Sequence, residues 1–366
     1  MAINTANKDY KVALFGGTFD PVHNGHIEIC KKLNRQYAFD KFIIMPCGDP
    51  PHKESNSSAQ QRYEMCKLAF KGKNYEVSRF EIENGGKSFT YLTLEHLIKV
   101  YGVKPYFILG GDSMRDILKW KAPERIAAAC NIISVGRKYV TGADAAAAEF
   151  MKKYGGEVIF SDITVPDISG TEIRILNSCG LDIKEYTTDA VAAYIRANGL
   201  CNDYKVYADA IKPLMKEERY LHSVYTAVTA AKLAARYGIN KEQAVIAGLI
   251  HDCAKEVSEK DLLNKYGIEV STEVKAMHEK IRHAPLGALL AQKLFNINDA
   301  EILNAIKYHT SGSADMSPLE KLIFIADYIE PTRGYEDTVE KYNIAFTDID
   351  EAVKCKYAEI ARKNGV

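Results

Sequence analysis

Between residues 11 and 199, short apolar runs alternate with longer stretches whose apolar residues recur at helical spacing. Val12-Ala13-Leu14-Phe15, Phe42-Ile43-Ile44-Met45, Tyr75-Glu76-Val77-Ser78, Tyr106-Phe107-Ile108-Leu109, Asn131-Ile132-Ile133-Ser134-Val135 and Glu157-Val158-Ile159-Phe160 read as strands. Residues 59–70, 89–101 and 188–198 read as helices. Strand and helix in strict alternation imply a doubly wound parallel sheet with helices on both faces, whose ligands bind beyond the carboxyl ends of the strands. The pattern then changes: from residue 204 no strand-like run appears, and 207–237, 241–251, 257–265, 284–295, 299–309, 318–329 and 348–364 all read as helices. The predicted fold class is α/β followed by all-α, with domains at 1–203 and 204–366.

Composition narrows this little. The 366 residues suit two domains, and 48 basic against 48 acidic side chains leave no net charge. Neither a nucleic-acid partner nor a membrane surface is favoured, and no stretch approaches the roughly 20 apolar residues of a membrane span. The eight cysteines are scattered without a Cys-x-x-Cys pair, which fits reduced thiols and a cytoplasmic location.

The candidate chemistry falls where strands end. Gly16-Gly17-Thr18-Phe19-Asp20-Pro21-Val22-His23-Asn24-Gly25-His26 joins the first strand to the next helix. Its glycines let backbone approach a ligand closely, and the helix start directs N–H groups and a positive dipole end at the turn, as a phosphate requires. His23 and His26, three apart, share one face of the first turn. Gly110-Gly111-Asp112-Ser113 ends another strand and leads to Trp120, and Ser88 reads as a helix cap before Thr90 and Tyr91. In Ile168-Ser169-Gly170-Thr171-Glu172-Ile173-Arg174, Ser169 or Thr171 caps a helix, and Arg174 lies one turn inside with a planar fork for phosphate oxygens.

These strings resemble the nucleotidyltransferase superfamily, whose mark is His-x-Gly-His, and within it the bacterial nicotinate-nucleotide adenylyltransferases. The resemblance implies a Rossmann-like domain that transfers adenylyl from ATP, carried with Mg²⁺, to nicotinate mononucleotide. It implies that His23, His26 and Arg174 stabilise the transferring phosphates. Gly16, Gly17, Thr18, Phe19, Gly110, Asp112, Ser169 and Thr171 would line the nucleotide, Lys53 would lie near both nucleotides, and Thr90, Tyr91 and Trp120 would flank the pyridine ring. The chain departs from the family at Gly170, usually Ser, which keeps the backbone N–H and loses one hydroxyl. Nicotinamide mononucleotide and a pantetheine phosphate remain alternative acceptors.

In the second half, imidazoles and carboxylates recur in the order His222, His251-Asp252, Asp327, with His283 and His309 besides. Such donors suit a divalent metal with open positions for water. The ordered set resembles the HD phosphohydrolases, and its local strings resemble a bacterial subfamily that hydrolyses diadenosine tetraphosphate to two ADP. That resemblance implies an HD-type helical domain with a dinuclear iron centre on His222, His251, Asp252, His283, His309 and Asp327. Lys255, one turn past the His-Asp pair, is either a phosphate contact or a solvated side chain, and His278 reads as surface. A nucleotidase acting on other substrates and a nucleotide sensor without turnover are the alternatives for this half.

Overall fold

The structure is a computed structural model that describes residues 10–49, 56–136, 141–334 and 336–363. It separates into two compact units, Met1–Ile173 with Asp182–Cys201, and Arg174–Leu181 with Asn202–Val366. The break falls two residues before the expected one, and the short segment Arg174–Leu181 goes with the second unit.

The first unit is a six-stranded, wholly parallel sheet: β1 (Val12–Gly17), β2 (Lys41–Pro46), β3 (Tyr75–Val77), β4 (Tyr106–Gly110), β5 (Asn131–Val135) and β6 (Val158–Ser161), in the order β3-β2-β1-β4-β5-β6. The central strands are covered on both faces and are therefore continuous apolar runs, whereas the edge strands β3 and β6 stay partly exposed. Leu14, Ile43, Met45, Phe107, Ile132 and Phe150 share one core. Strand order reverses between β1 and β4, so the crevice at their carboxyl ends is where such a sheet takes a ligand. β1 ends there at Gly16-Gly17 and β4 at Gly110.

Helix starts follow side-chain chemistry. Ser58 caps Ala59–Ala69 in a reciprocal capping box with Gln61, and Thr188 caps Asp189–Ala197. Ser88 does not cap. Phe89 takes that position, and the Ser88 hydroxyl instead accepts the Gly48 N–H at 3.1 Å, tying the loop after β2 to the helix Thr90–Tyr101. Asp112 is likewise no cap: Gly110 holds that place, and Asp112 sits in the first turn of Gly111–Asp116.

The second unit is helical among its described residues. The single helix expected over 207–237 is two, Lys205–Ile211 and Glu217–Tyr237, separated by a 3₁₀ turn at Lys212–Leu214. Pro213 explains the break, because it lacks an N–H and crowds the preceding turn. The helix expected over 284–295 begins earlier, as Glu279–Phe295, with Pro285 inside it. His278 is exposed, as expected, and also caps this helix, its Nδ1 accepting the Lys280 N–H at 3.2 Å. Two helices were not anticipated, Thr272–Ala276 and Thr338–Thr347. Lys241–Ile250, Glu259–Tyr266, Ala300–Tyr308, Pro318–Ile329 and Ile349–Lys363 complete the unit.

Lys241–Ile250 and Glu217–Tyr237 meet through small residues. A Cβ on Gly248 would lie 2.9 Å from Ala227 Cα and 3.1 Å from Ala227 N, so the helices approach as closely as they do only because Gly248 has no side chain. One helix carries His222 and the other ends at His251. Gly248→Ala is therefore expected to destabilise this unit by about 1–3 kcal/mol, read by chemical denaturation; an unchanged midpoint would contradict the contact.

Candidate functional sites

In the first unit the chain leaves β1 through Thr18 and Phe19, the latter with φ 53°, and enters the helix Asn24–Tyr37 at His23. The buried His23 and the partly exposed His26 stack, with ring centroids 3.6 Å apart and planes 24° from parallel. The His23 N–H donates to His26 Nδ1 at 3.3 Å. A neutral imidazole that accepts at Nδ1 carries its proton on Nε2, the donor an anionic oxygen needs. Phe19 and Phe15 pack against His26 at 4.9 and 5.9 Å. Gly25 is required by the ring beside it: a Cβ there would meet His23 Nδ1 at 3.0 Å and the Pro166 carbonyl at 3.2 Å.

Arg62 holds this turn, and sequence reasoning missed it. Its guanidinium is fully buried and donates to three carbonyls: Thr18 at 2.8 Å, Gly48 at 3.0 Å and Ser57 at 3.2 Å. The Asp20 carboxylate accepts the N–H groups of Asn56 and Ser57 at 2.8 and 3.3 Å. The phosphate-type turn, the loop after β2 and the start of Ala59–Ala69 are thus one hydrogen-bonded assembly.

The remaining expected residues of this half are placed as follows. Trp120 packs beside Phe107, ring centroids 6.2 Å apart. Thr90 opens its helix, and the Tyr91 ring lies under the Arg125 guanidinium at 4.1 Å. Arg125 is held by both oxygens of Glu95 at 2.8 and 2.7 Å. Ser169, not Thr171, caps the helix Gly170–Ser178, accepting the Glu172 N–H at 3.1 Å. Arg174 lies 3.5 Å from Asp203 Oδ2 within the second unit. Lys53 lies outside the described residues.

The second unit brings its six expected metal ligands together from five helices and the turn after His251. His222 Nε2 lies 3.0 Å from Asp327 Oδ1 and 3.3 Å from His251 Nε2. His283 and His309 approach Asp252 Oδ1 at 3.0 and 3.3 Å and each other, Nε2 to Nε2, at 3.2 Å. The outward nitrogens are fixed by acceptors: His251 Nδ1 by the Gly248 carbonyl at 2.7 Å, His309 Nδ1 by the Ile306 carbonyl at 2.7 Å, His222 Nδ1 by Glu330 at 2.9 Å. The carbonyl acceptors set the Nδ1 proton on His251 and His309 and leave their Nε2 atoms facing inward, whereas at His222 burial is outweighed by Asp327 and then Glu330, which raise its pKa.

The donor set therefore fits metal. His222 Nε2 and His251 Nε2 lie 3.3 Å apart with Asp327 Oδ1 beside both, and Asp252 Oδ1 is buried between the Nε2 atoms of His283 and His309. A cation satisfies all of them. Ligand atoms about 2.1 Å from one ion lie about 3.0–3.4 Å apart, the spacing of His222 Nε2 to Asp327 Oδ1 and to His251 Nε2, with His251 and Asp327 slightly wider at 3.7 Å. His222, His251 and Asp327 form one such group, and His251, Asp252 and His309 a second. Burial pushes the His251 imidazole down to about 3, keeping it neutral as a ligand must be. Burial alone would raise Asp252, yet the neighbouring imidazoles hold it well below the usual carboxylate range. For Asp327 too, burial is outweighed, here by Lys356 first.

Basic side chains rim this cluster. Arg219 donates to Asp252 Oδ2 at 2.8 Å, Lys255 Nζ lies 3.1 Å from His283 Nε2, and Arg333 donates to Asp327 Oδ1. Each is 28% to 30% exposed. Lys255 is thus at the ligand cluster rather than simply solvated.

Comparison with known proteins matches residues 14–175 to the family described as "Cytidylyltransferase-like" and residues 219–332 to "HD domain". A Clostridium tetani protein, "Probable nicotinate-nucleotide adenylyltransferase", is 37% identical over 52% of this chain and 98% of its own length. The chain belongs to the nicotinate-nucleotide adenylyltransferase family. This adenylyltransferase carries an HD domain in its second unit. A Mycoplasma genitalium protein, "Probable nicotinate-nucleotide adenylyltransferase/Ap4A hydrolase", is 28% identical across 89% of both chains. A solved Clostridium acetobutylicum chain, a "predicted HD superfamily hydrolase involved in NAD metabolism", is 34% identical over 44% of this chain and 89% of its own, with a TM-score of 0.38.

Several groups at the HD site of this adenylyltransferase carried no role in the sequence reading. Glu330 is fully buried, and its carboxylate takes His222 Nδ1 and the N–H and hydroxyl of Thr332. It stands one turn beyond Asp327, and Arg219 one turn before His222, so helical spacing alone would have put both at the cluster. Lys356 has no such signal. Glu330→Gln keeps shape and removes the charge that orients His222; divalent-metal affinity should fall about 10- to 100-fold, measured by Mn²⁺ titration. Unchanged affinity would leave Glu330 with a packing role only.

Proposed function

We propose that this chain is a bifunctional enzyme whose first unit makes nicotinate adenine dinucleotide and whose second hydrolyses diadenosine tetraphosphate symmetrically. The first activity is supported by family membership and by the stacked histidine pair at the reversal of strand order. An oxygen of the 5′-phosphate of nicotinate mononucleotide attacks the α-phosphorus of ATP; the bond to the β-phosphate bridging oxygen breaks, and pyrophosphate leaves with Mg²⁺. No side-chain nucleophile takes part. His26 Nε2, with His23 behind it, donates to the crowded phosphate oxygens, and Arg62 keeps the turn in place. Thr90, Tyr91 and Trp120 would form the pyridine side, Gly110 and Asp112 the ribose side, and Ser169 and Thr171 the distal phosphates.

The second activity is supported by the six-ligand cluster, its three rimming cations and the Mycoplasma relative's name. Two divalent ions, iron by resemblance, would be held by His222, His251 and Asp327 on one side and by His283, His309 and Asp252 on the other. Bound there, they supply Lewis acidity to the attacking and leaving oxygens of a phosphate ester. Arg219, Lys255 and Arg333 offer planar forks and an ammonium to a chain of several phosphates. That count of cations fits a polyphosphate bridge better than a monophosphate.

His26→Ala should lower adenylyl-transfer turnover about 10²- to 10³-fold, with the loss of its cap and ring contacts lowering the melting temperature by only a few degrees. Turnover with nicotinate mononucleotide should exceed that with the nicotinamide form. Unchanged turnover would remove the role given to His26, and preference for the amide would change the acceptor.

A further inference from the structure

The last helix, Ile349–Lys363, lies beyond the residues that match the HD domain, yet it sends one charged group into the metal-ligand cluster. Lys356 is 7% exposed, and its ammonium lies 3.5 Å from Asp327 Oδ2. The other oxygen of that carboxylate faces the imidazoles, 3.0 Å from His222 Nε2 and 3.7 Å from His251 Nε2. The ammonium also donates to the Phe324 carbonyl and sits 3.7 Å from the centre of the Phe324 ring.

The helix is fastened on both sides of Lys356. Asp350 takes Lys321 of Pro318–Ile329 at 2.6 Å, and Glu359 accepts the Tyr328 hydroxyl and pairs with Lys341 at 3.0 Å. The rimming cations Arg219, Lys255 and Arg333 are partly exposed and can turn toward water or phosphate when a metal enters. Lys356 is enclosed, held between Asp327, the Phe324 carbonyl and the Phe324 ring.

We propose that Lys356 is a resident counter-ion of this site, which orients and neutralises Asp327 in the metal-free chain and competes with the metal for the same carboxylate. The inference rests on the reading that His222, His251 and Asp327 hold a divalent ion. Buried charges are weakly screened, so an ammonium and a dication sharing one carboxylate oppose each other strongly. Removing the ammonium leaves Asp327 Oδ2 without its cation and the carboxylate with only Arg333 and His222, both on Oδ1, and an arriving metal then relieves a larger penalty. A lysine that merely anchored the helix would cost the metal-free and metal-loaded forms equally.

The test is a comparison of the full-length chain with K356M and K356R, by thermal melting with and without saturating Mn²⁺ and by Mn²⁺ titration followed by electron paramagnetic resonance. K356M should melt lower than the parent without metal, gain more on Mn²⁺ addition, and bind Mn²⁺ roughly tenfold more tightly. K356R should keep the parent's metal-dependent gain. If K356M is unfolded without metal, Mn²⁺ should fold it; failure to fold with Mn²⁺ present would overturn the proposal. Equal gain and equal affinity in parent and K356M would overturn it as well. A parent chain that takes up no Mn²⁺ would remove the metal reading itself.

Discussion

A polar group taken out of water must find a partner, and both units are arranged around groups that meet this demand in unusual ways. In the first, the buried Arg62 guanidinium finds three backbone carbonyls, from Thr18, Gly48 and Ser57, and thereby welds two loops and a helix start into one assembly. The His26 donor is directed because its other nitrogen is already occupied by the His23 N–H. In the second unit six imidazole and carboxylate side chains crowd together in the interior, met at the rim by Arg219, Lys255 and Arg333 and from within by Lys356. Helices and outward acceptors hold them in an arrangement that a cation can complete.

The two units solve the handling of phosphate by opposite means. In the first unit the candidate phosphate site is built from backbone approach and neutral imidazole donors at a strand end. In the second, six side chains that could hold metal come together, with Arg219, Lys255 and Arg333 at their rim. Lys356 adds a positive charge that cannot leave, so the site is pre-shaped before metal enters and holds it less tightly than its donor set alone would.

What could be read in the sequence follows from which constraints are local. The strands were legible because burial on both faces makes β1, β2 and β4 continuous apolar runs. The turn through His26 was legible because its glycines, histidines and helix start are contiguous. The candidate metal ligands stand in the sequence as an ordered set, and the fold brings His222, His251, Asp252, His283, His309 and Asp327 together. Helix ends were misread at Pro213 and Pro285, since one proline breaks a helix and the other sits inside one, a difference set by packing rather than by the residue. Ser88 looked like a cap and is a loop tie. Arg62 and Lys356 were silent because their partners lie on other elements.

The account's central claim for the second unit is a cut at the middle of a four-phosphate bridge. The most direct measurement is product analysis after incubating the Fe²⁺-loaded full-length chain anaerobically with diadenosine tetraphosphate in ¹⁸O-water. The account predicts ADP alone, two per substrate, with one ¹⁸O per pair. ATP with AMP would contradict it, because that outcome breaks an anhydride bond at the end of the bridge rather than the central one.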